Sequence, residues 1–482
     1  MTTLLMLPQL FMDSEVVMDG MADTRLWAER TFGAANMGDQ RRTRRLVHSA
    51  AQIAAHPQKS FPQVFELLDL RAFYRLCAQE AATLAAIQQP HWEQTRQAMR
   101  QQPLVLTIHD TTVLDYTAHP QLRGVGPIGD GDGRGLLQHN SLAVLPQPRQ
   151  VLGLAYQQLH VRQPAPPGER SYQRKQRPRE SAWWLEGIRA AGEAPPECCW
   201  IDVGDRGSDI YEAMVAAREV RHHFLFRLTQ NRHVFLSADG DAACYLKDYA
   251  RSLPSQADDV VAIPGRGGRP ARTATVQLAA APVWIPAPRK TPGRSQQPRI
   301  AAWVIRIWEP DPPADVAEPL EWLLLCSLPT RTPDELKQRR DWYCCRWLVE
   351  VYHDIEKNGC SEEERRFETA ARMEACLAVL AVVAVRVLQL RCALDAQPEA
   401  PAEQVATALE VRLIRQSSKA KGRRFTVRDF VRGVAQLGGF LGRRGDGPPG
   451  VRALWRGYQR LQDMLEGVHL YASTTADDPK GG

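Results

Sequence analysis

Apolar and polar positions change period several times along the chain, and each change marks an element. Over residues 24 to 85, apolar side chains recur at helical spacing through Leu46, Ala50, Ile53 and Ala54, with Pro57 and Pro62 as punctuation. This predicts a set of short helices. From about residue 86 to 205 the pattern is α/β. Leu104–Ile108 reads as a strand ending at Asp110, Ser141–Val144 and Val151–Leu159 as further strands, and Ala182–Ala191 as a helix. Trp200–Val203 is another short strand, breaking at Gly204-Asp205. A helix over Asp209–Glu219 and a strand at Phe224–Phe226 follow. Between residues 228 and 335, Gly, Pro and Arg interrupt β-like runs such as Thr273–Leu278 and Trp303–Ile307, as in an inserted β-rich subdomain. Residues 334 to 395 are helical again, and Ala375–Leu390 is almost wholly apolar. With Arg386 and Gln389 inside it, that run is short of the ~18–20 apolar residues of a membrane span and predicts a buried core helix. A linker at Gln397–Pro401 leads to a helical tail. The expectation is an α/β catalytic domain over residues 86–395, interrupted at about 228–335. Helical domains flank it at 1–85 and 396–482.

Length agrees with several units, since 482 residues exceed one ordinary core. A 44% hydrophobic and 24% charged composition is globular, and a net charge of +6 is too mild to establish a nucleic-acid partner by itself. None of the ten cysteines forms a CxxC pair, which argues against a structural zinc site and for reduced thiols in a cytoplasmic protein. Thr2–Met12 is apolar, but no basic residue precedes it and Pro8 interrupts it, so a signal peptide is not expected; Met18 and Met21 are alternative starts. Gly124–Gly129 matches GxGxxG literally, yet no strand-to-helix context surrounds it. Asp130–Gly133 resembles a calcium loop, but Ser141 stands where the closing Glu belongs. Neither a phosphate-loop lysine motif nor a nucleophile elbow occurs.

Charge patterning is more informative than total charge. Arg41, Arg42, Arg44 and Arg45 follow Asp39, a candidate N-cap, so their guanidinium groups gather near a helix N-terminus suited to phosphate. Further basic tracts are Gly265–Arg272, the segment around Arg289, Lys290 and Arg294, and Lys419, Lys421, Arg423 and Arg424. Each is a phosphate-contact candidate or a solvated turn.

Three acids carry the candidate chemistry. Asp110 and Asp205 each end a predicted strand, where functional carboxylates of α/β sheets converge, although either could be an ordinary turn residue. Glu350 stands among Tyr343, Arg346 and Lys357, which begin a series with offsets of 3, 7 and 14 from Tyr343. On one continuous helix these would share an arc of about 60°. Two strand aspartates and a helix glutamate suit Mg²⁺, which prefers oxygen ligands. Two such ions, ~3.5–4 Å apart, can activate a nucleophile and stabilise the leaving oxygen of a phosphoryl transfer. Arg346 and Lys357 would hold the phosphate beside them.

These residues resemble the insertion-sequence-four family of bacterial cut-and-paste transposases. Tyr343, Arg346, Glu350 and Lys357 match its Y-(2)-R-(3)-E-(6)-K signature, Asp110-Thr111-Thr112 its D-T-T, and Asp205 to Asp209 its D-R-x-x-D. Glu180-Ser181 with Trp184, the basic run Gly38–Leu46, Leu437–Phe440 and Ala453–Trp455 also match, so the resemblance covers residues ~24 to ~470. It implies an RNase H-like catalytic core with a β-rich insertion. The implied activity is metal-dependent nicking, hairpin formation and opening, and strand transfer, with two Mg²⁺ ions (Mn²⁺ as substitute) when DNA is bound. It also implies that Trp322 stacks on a flipped base with help from Trp347, and that Arg206 and Arg227 touch DNA near the active site. Arg41, Arg42, Arg45 and Arg75 would contact transposon ends. The implied partners are double-stranded DNA, both transposon ends and target, and a second copy of the chain in a paired-end complex. A membrane is not among them, and the expected location is the cytoplasm, on the nucleoid when DNA is bound. Ala55 replaces the lysine that follows the basic helix in a family member, which bears on the end sequence recognised. A nuclease without strand transfer and a non-catalytic regulator of transposition are the alternatives.

Overall fold

The structure, a computed structural model, describes residues 23–129, 131–164, 180–263, 272–289, 298–314, 318–417, 424–443 and 446–476, with isolated positions between them. Most of Gly265–Arg272, Lys290 and Arg294, and Lys419, Lys421 and Arg423 lie outside the described residues, as does Asp130.

Five helices open the described chain: α1 (Thr24–Phe32), α2 (Gln40–Ala55), α3 (Phe61–Val64), α4 (Leu67–Cys77) and α5 (Leu84–Arg100). Asp39 does cap α2, accepting from the Arg41 amide at 2.8 Å. The sheet begins with β1 (Leu104–Asp115), β2 (Gly126–Ile128), β3 (Gly133–Leu145) and β4 (Gln150–His160). After α6 (Ser181–Ala190) come β5 (Cys199–Gly204), a 3₁₀ turn at Arg206–Ser208, α7 (Tyr211–Glu219) and β6 (His223–Arg227).

β1 pairs antiparallel with β3 and parallel with β5, β3 pairs antiparallel with β4, and β5 pairs parallel with β6. The resulting order β4-β3-β1-β5-β6 is consistent with an RNase H-like core. The next stretch does not leave this sheet. β7 (His233–Phe235), β8 (Ala243–Tyr245), α8 (Leu246–Ser252), β9 (Ala257–Ile263), β10 (Arg272–Ile285), β11 (Ile300–Trp308) and β12 (Glu321–Cys326) return the chain to β6. There β12 pairs antiparallel, so the β-rich segment extends the core sheet beyond its last parallel strand.

Alternation along the strands covers both faces. Leu225 of β6 joins Leu106, Ile108, Ile201 and Val203 in one apolar cluster, whereas Phe224 and Phe226 join Ile188, Met214 and Leu246 of α6, α7 and α8 on the other. The first face is covered by α11 (Ala370–Ala396), which follows α9 (Pro333–Cys344) and α10 (Trp347–Asp354). α11 is long and apolar enough to cross a membrane, but it is buried around most of its circumference in the protein core. Its Arg386 is buried, with the guanidinium donating to the Tyr458 hydroxyl at 3.2 Å. The amino-terminal helices share this core: Leu46, Phe73 and Leu84 belong to the same cluster as Val379 and Val383 of α11. α12 (Ala408–Ser417), α13 (Val427–Leu437) and α14 (Val451–Ala476) pack as a third group around Phe430, Val434 and Leu461.

Candidate active site

Strand register creates the centre of the site. The parallel ladder between β1 and β5 ends at His109↔Gly204, so Asp110 and Asp205, the next residue on each chain, emerge side by side. Asp110 is not at a strand end, as its sequence context suggests. β1 runs five residues further, to Asp115, because its other neighbour β3 continues to pair as far as Asp115↔Gly135. Asp205 does leave the sheet. It caps the 3₁₀ turn, accepting from the Gly207 amide at 2.7 Å. Trp184 explains why glycine precedes it: a Cβ on Gly204 would lie 2.9 Å from the indole and 2.5 Å from the Ser208 side chain.

The acids are held by a buried polar layer that sequence reasoning missed. Asp202, two residues before Gly204 on β5, is fully buried between His109 Nε2 at 2.9 Å and His222 Nδ1 at 3.0 Å. Burial opposes its charge, but the attraction of His222 and the hydrogen bonds from both imidazoles outweigh it and hold the carboxyl at about 2. His222 passes the connection on to the Gly192 carbonyl at 2.9 Å, and Ser141 faces His109 Nδ1 at 2.9 Å. Only a buried charge with imidazole on either side would have revealed this cluster, and residues 93 positions apart in sequence give no such signal.

Tyr343, Arg346, Glu350 and Lys357 do not lie on one uninterrupted α-helix, although Cys345 and Arg346 in the joint keep right-handed helical dihedrals. α9 ends at Cys344, Arg346 lies in the joint, Glu350 is in the first turn of α10, and Lys357 sits in a π turn at Ile355–Gly359. Arg346 bridges the site, 3.5 Å from Asp110 and 3.3 Å from Glu350. Tyr343 is buried edge-on against Trp322, ring centroids 5.5 Å apart. Burial raises its phenol pKa, against the pull of Arg227 and Arg346. Lys357 is carried further along β1, where Nζ donates to the Val113 carbonyl at 2.5 Å and lies 3.7 Å from Glu363.

Asp110, Glu350 and His353 offer ligand atoms within 4.8 Å of one another. Burial, then the neighbouring Asp205, push the Asp110 carboxyl up to about 7, while Arg346 opposes them. Converging carboxylates with one guanidinium between them suit a divalent cation, whose charge would reverse that shift. Among the described residues the cluster that could hold one is Asp110, Glu350 and His353; Asp205 acts on Asp110 electrostatically but lies outside that cluster. His353 was not anticipated. It stands one helical turn after Glu350, and burial holds its imidazole down to about 3.

Other expected contact residues are scattered around this centre. Arg206 is exposed in the 3₁₀ turn, Arg227 ends β6 with Nη2 3.5 Å from the Glu321 carbonyl, and Trp347 is 44% exposed at the start of α10. Asp209 is structural: it accepts from the Thr229 and Gln230 amides at 2.7 and 2.8 Å and pairs with Arg232. In the amino-terminal helices Arg41 and Arg75 are exposed, whereas Arg42 donates to the Met37 carbonyl at 3.2 Å and Arg45 pairs with Asp69. The four arginines are thus not equally available to a phosphate.

Two stretches match known protein families. Residues 24–82 match a transposase DNA-binding family, and residues 382–478 match the transposase Tn5 dimerisation domain. Together they support a Tn5-type transposase. The first match covers the basic helix α2, and the second covers the end of α11 and α12 to α14. Between them lie the sheet and the acids, the part a transposase would use for chemistry.

Proposed function

We propose that the chain is a metal-dependent DDE-type DNA transposase of the insertion-sequence-four kind, which cuts transposon ends and joins them to target DNA. The observation that carries this reading is the meeting of Asp110 and Asp205 beside Glu350, with Arg346 between the acids, in a chain flanked by DNA-binding and dimerisation matches. Mg²⁺, held by Asp110, Asp205 and Glu350, would supply Lewis-acid stabilisation and an activated oxygen nucleophile.

The chain's own residues then have separable tasks. Arg346 neutralises the acids and offers its fork to a non-bridging phosphate oxygen. Lys357 adds a point charge further along β1. Trp322 and Trp347 present indole faces on which an unpaired base can stack, as hairpin formation requires. Arg206 and Arg227 position the backbone near Asp205, and Arg41, Arg42, Arg45 and Arg75 bind the element's end through α2 and α4. A second copy of the chain completes a paired-end complex.

The test begins with DNA selected from a random pool by the full-length protein, followed by Mg²⁺-dependent cleavage and joining of the selected site. Glu350→Ala is expected to lower cleavage about a thousandfold or more, since metal stabilisation is worth several kcal/mol, with DNA binding retained. Unchanged cleavage by that variant would overturn the assignment of the acids. Cleavage by the wild type without joining would leave a nuclease instead of a transposase.

A further inference from the structure

A line of buried amides runs through the protein and ends on His353. Its far end is fixed by two groups that cannot change roles. The Trp92 indole N–H only donates, and it lies 3.1 Å from Gln88 Oε1; the Ala378 carbonyl only accepts, and it lies 2.9 Å from Gln88 Nε2. Gln88 is therefore held in one orientation, and its second Nε2 hydrogen goes to Gln157 Oε1 at 2.7 Å. That turns Gln157 Nε2 toward Asn140 Oδ1, also at 2.7 Å. With its oxygen accepting, Asn140 presents Nδ2 to His353 Nε2 at 2.9 Å. Gln88, Gln157 and Asn140 are fully buried, so no solvent exchange relaxes the sequence of donors and acceptors.

We infer that this amide relay locks His353 as the tautomer protonated on Nδ1, which keeps the imidazole out of the metal site and leaves an oxygen-only ligand set. Nε2 must hold its lone pair toward the Asn140 N–H, so the ring is neutral and its single proton is on Nδ1. Neither nitrogen then has a free lone pair for a cation, although one lies within 4.8 Å of the Asp110 and Glu350 oxygens. His353 is then a positioning residue, held by the relay and outside the ligand set. The relay thereby sets cation preference: carboxylates alone favour Mg²⁺ and Mn²⁺, while an available imidazole would invite Zn²⁺. Asn140 is well placed to exert this control, since it pairs directly with Asp110 across β1 and β3.

The tautomer is independent of catalysis, but its consequence for the metal rests on the proposed role of the acids. The experiment keeps the two apart. Two-dimensional ¹⁵N correlation spectra of the full-length, histidine-labelled protein without DNA report which ring nitrogen is protonated, and His353→Gln identifies the signal. Nδ1–H is expected; an Nε2–H or doubly protonated ring would overturn the relay. Calorimetric titration with Zn²⁺ and Mn²⁺ follows. Asn140→Ala, which releases the ring from that tautomer and lets either nitrogen offer a lone pair, is expected to tighten Zn²⁺ by about tenfold or more with little change for Mn²⁺, the scale on which partners of metal-binding histidines act. If instead His353→Gln weakens Mn²⁺ binding tenfold in the otherwise wild-type protein, His353 is a ligand and the inference fails. Should Asn140→Ala not fold, the wild-type spectrum and His353→Gln still decide it. Loss of cleavage in Glu350→Ala with an intact Nδ1–H signal would support both readings separately.

Discussion

At the scale of single residues, the least expected group is Glu356. It lies fully buried in the π turn beside Lys357, accepting from Gln138 Nε2 at 2.7 Å, and Glu362, also fully buried, faces it electrostatically. Burial is the main cause that raises the Glu356 carboxyl to about 8, against hydrogen bonds from Tyr352 and Gln138. The sign follows from linkage. Between the ordinary glutamate range near 4.5 and about 8, the folded chain keeps a proton that the unfolded chain has released. Stability is therefore greatest at the acid side of this window and falls as pH rises through it, by up to about 1.4 kcal/mol per pH unit for one proton. Glu356→Gln retains an acceptor for Gln138 and has no proton to release. It is expected to flatten this fall and to raise the urea midpoint at pH 8 relative to the wild type. An unchanged slope between pH 5 and 8 would place the retained proton on Glu362, whose buried carboxyl is also raised, instead of on Glu356.

Among the secondary-structure elements, what was legible in the sequence depended on whether one neighbour or two decided the outcome. Trp200–Val203, apolar apart from Asp202, and Phe224–Phe226 are short runs in the middle of the sheet, and β5 and β6 follow them within two residues. β1 was legible only to Asp110, since its continuation depends on pairing with β3, which hydropathy at Thr111–Leu114 does not specify. The interruption between α9 and α10 is equally silent. Cys345 and Arg346 are compatible with a helix, and no Gly or Pro marks the joint. Across this joint Tyr343 packs on Trp322 and still faces Arg346 and Asp205 electrostatically, while Glu350 lies in the acidic cluster. Glycines mark a different contact. A Cβ on Gly457 of α14 would fall 1.7 Å from the Val434 carbonyl, and one on Gly438 would fall 1.9 Å from the Ala453 carbonyl. α13 and α14 cross backbone to backbone there. Gly457→Ala must push the helices apart and is expected to destabilise by about 1–3 kcal/mol, the ordinary cost of overpacking, despite alanine's better helix propensity. Thermal unfolding measures it, and a stabilised variant would contradict the close crossing.

Across the whole molecule, the tail combines an internal and an external face. Lys59, between α2 and α3, reaches Asp463 of α14 at 2.7 Å and Glu466 at 3.8 Å, so one side of α14 is tied to the amino-terminal helices. Met464 and Val468, 36% and 38% exposed, stand at i and i+4, about 100° and about 140° around the helix from Asp463. They lie within the stretch matched to the dimerisation domain. An apolar pair still about a third exposed in the monomer, on a helix of that segment, is suited to a second copy of the chain. With about a third of each side chain left to bury, the pair contributes about 1–2 kcal/mol, and 1.4 kcal/mol is tenfold in affinity. Met464→Lys with Val468→Lys is therefore expected to weaken self-association about tenfold or more in sedimentation experiments, while the far-ultraviolet spectrum of the monomer stays unchanged. Binding of one DNA end should survive, because α2 and its exposed Arg41 are untouched; formation of the two-ended complex should not. A double variant that dimerises like the wild type would place the partner on another face of α12 to α14 and leave the Lys59 contacts as the tail's main role.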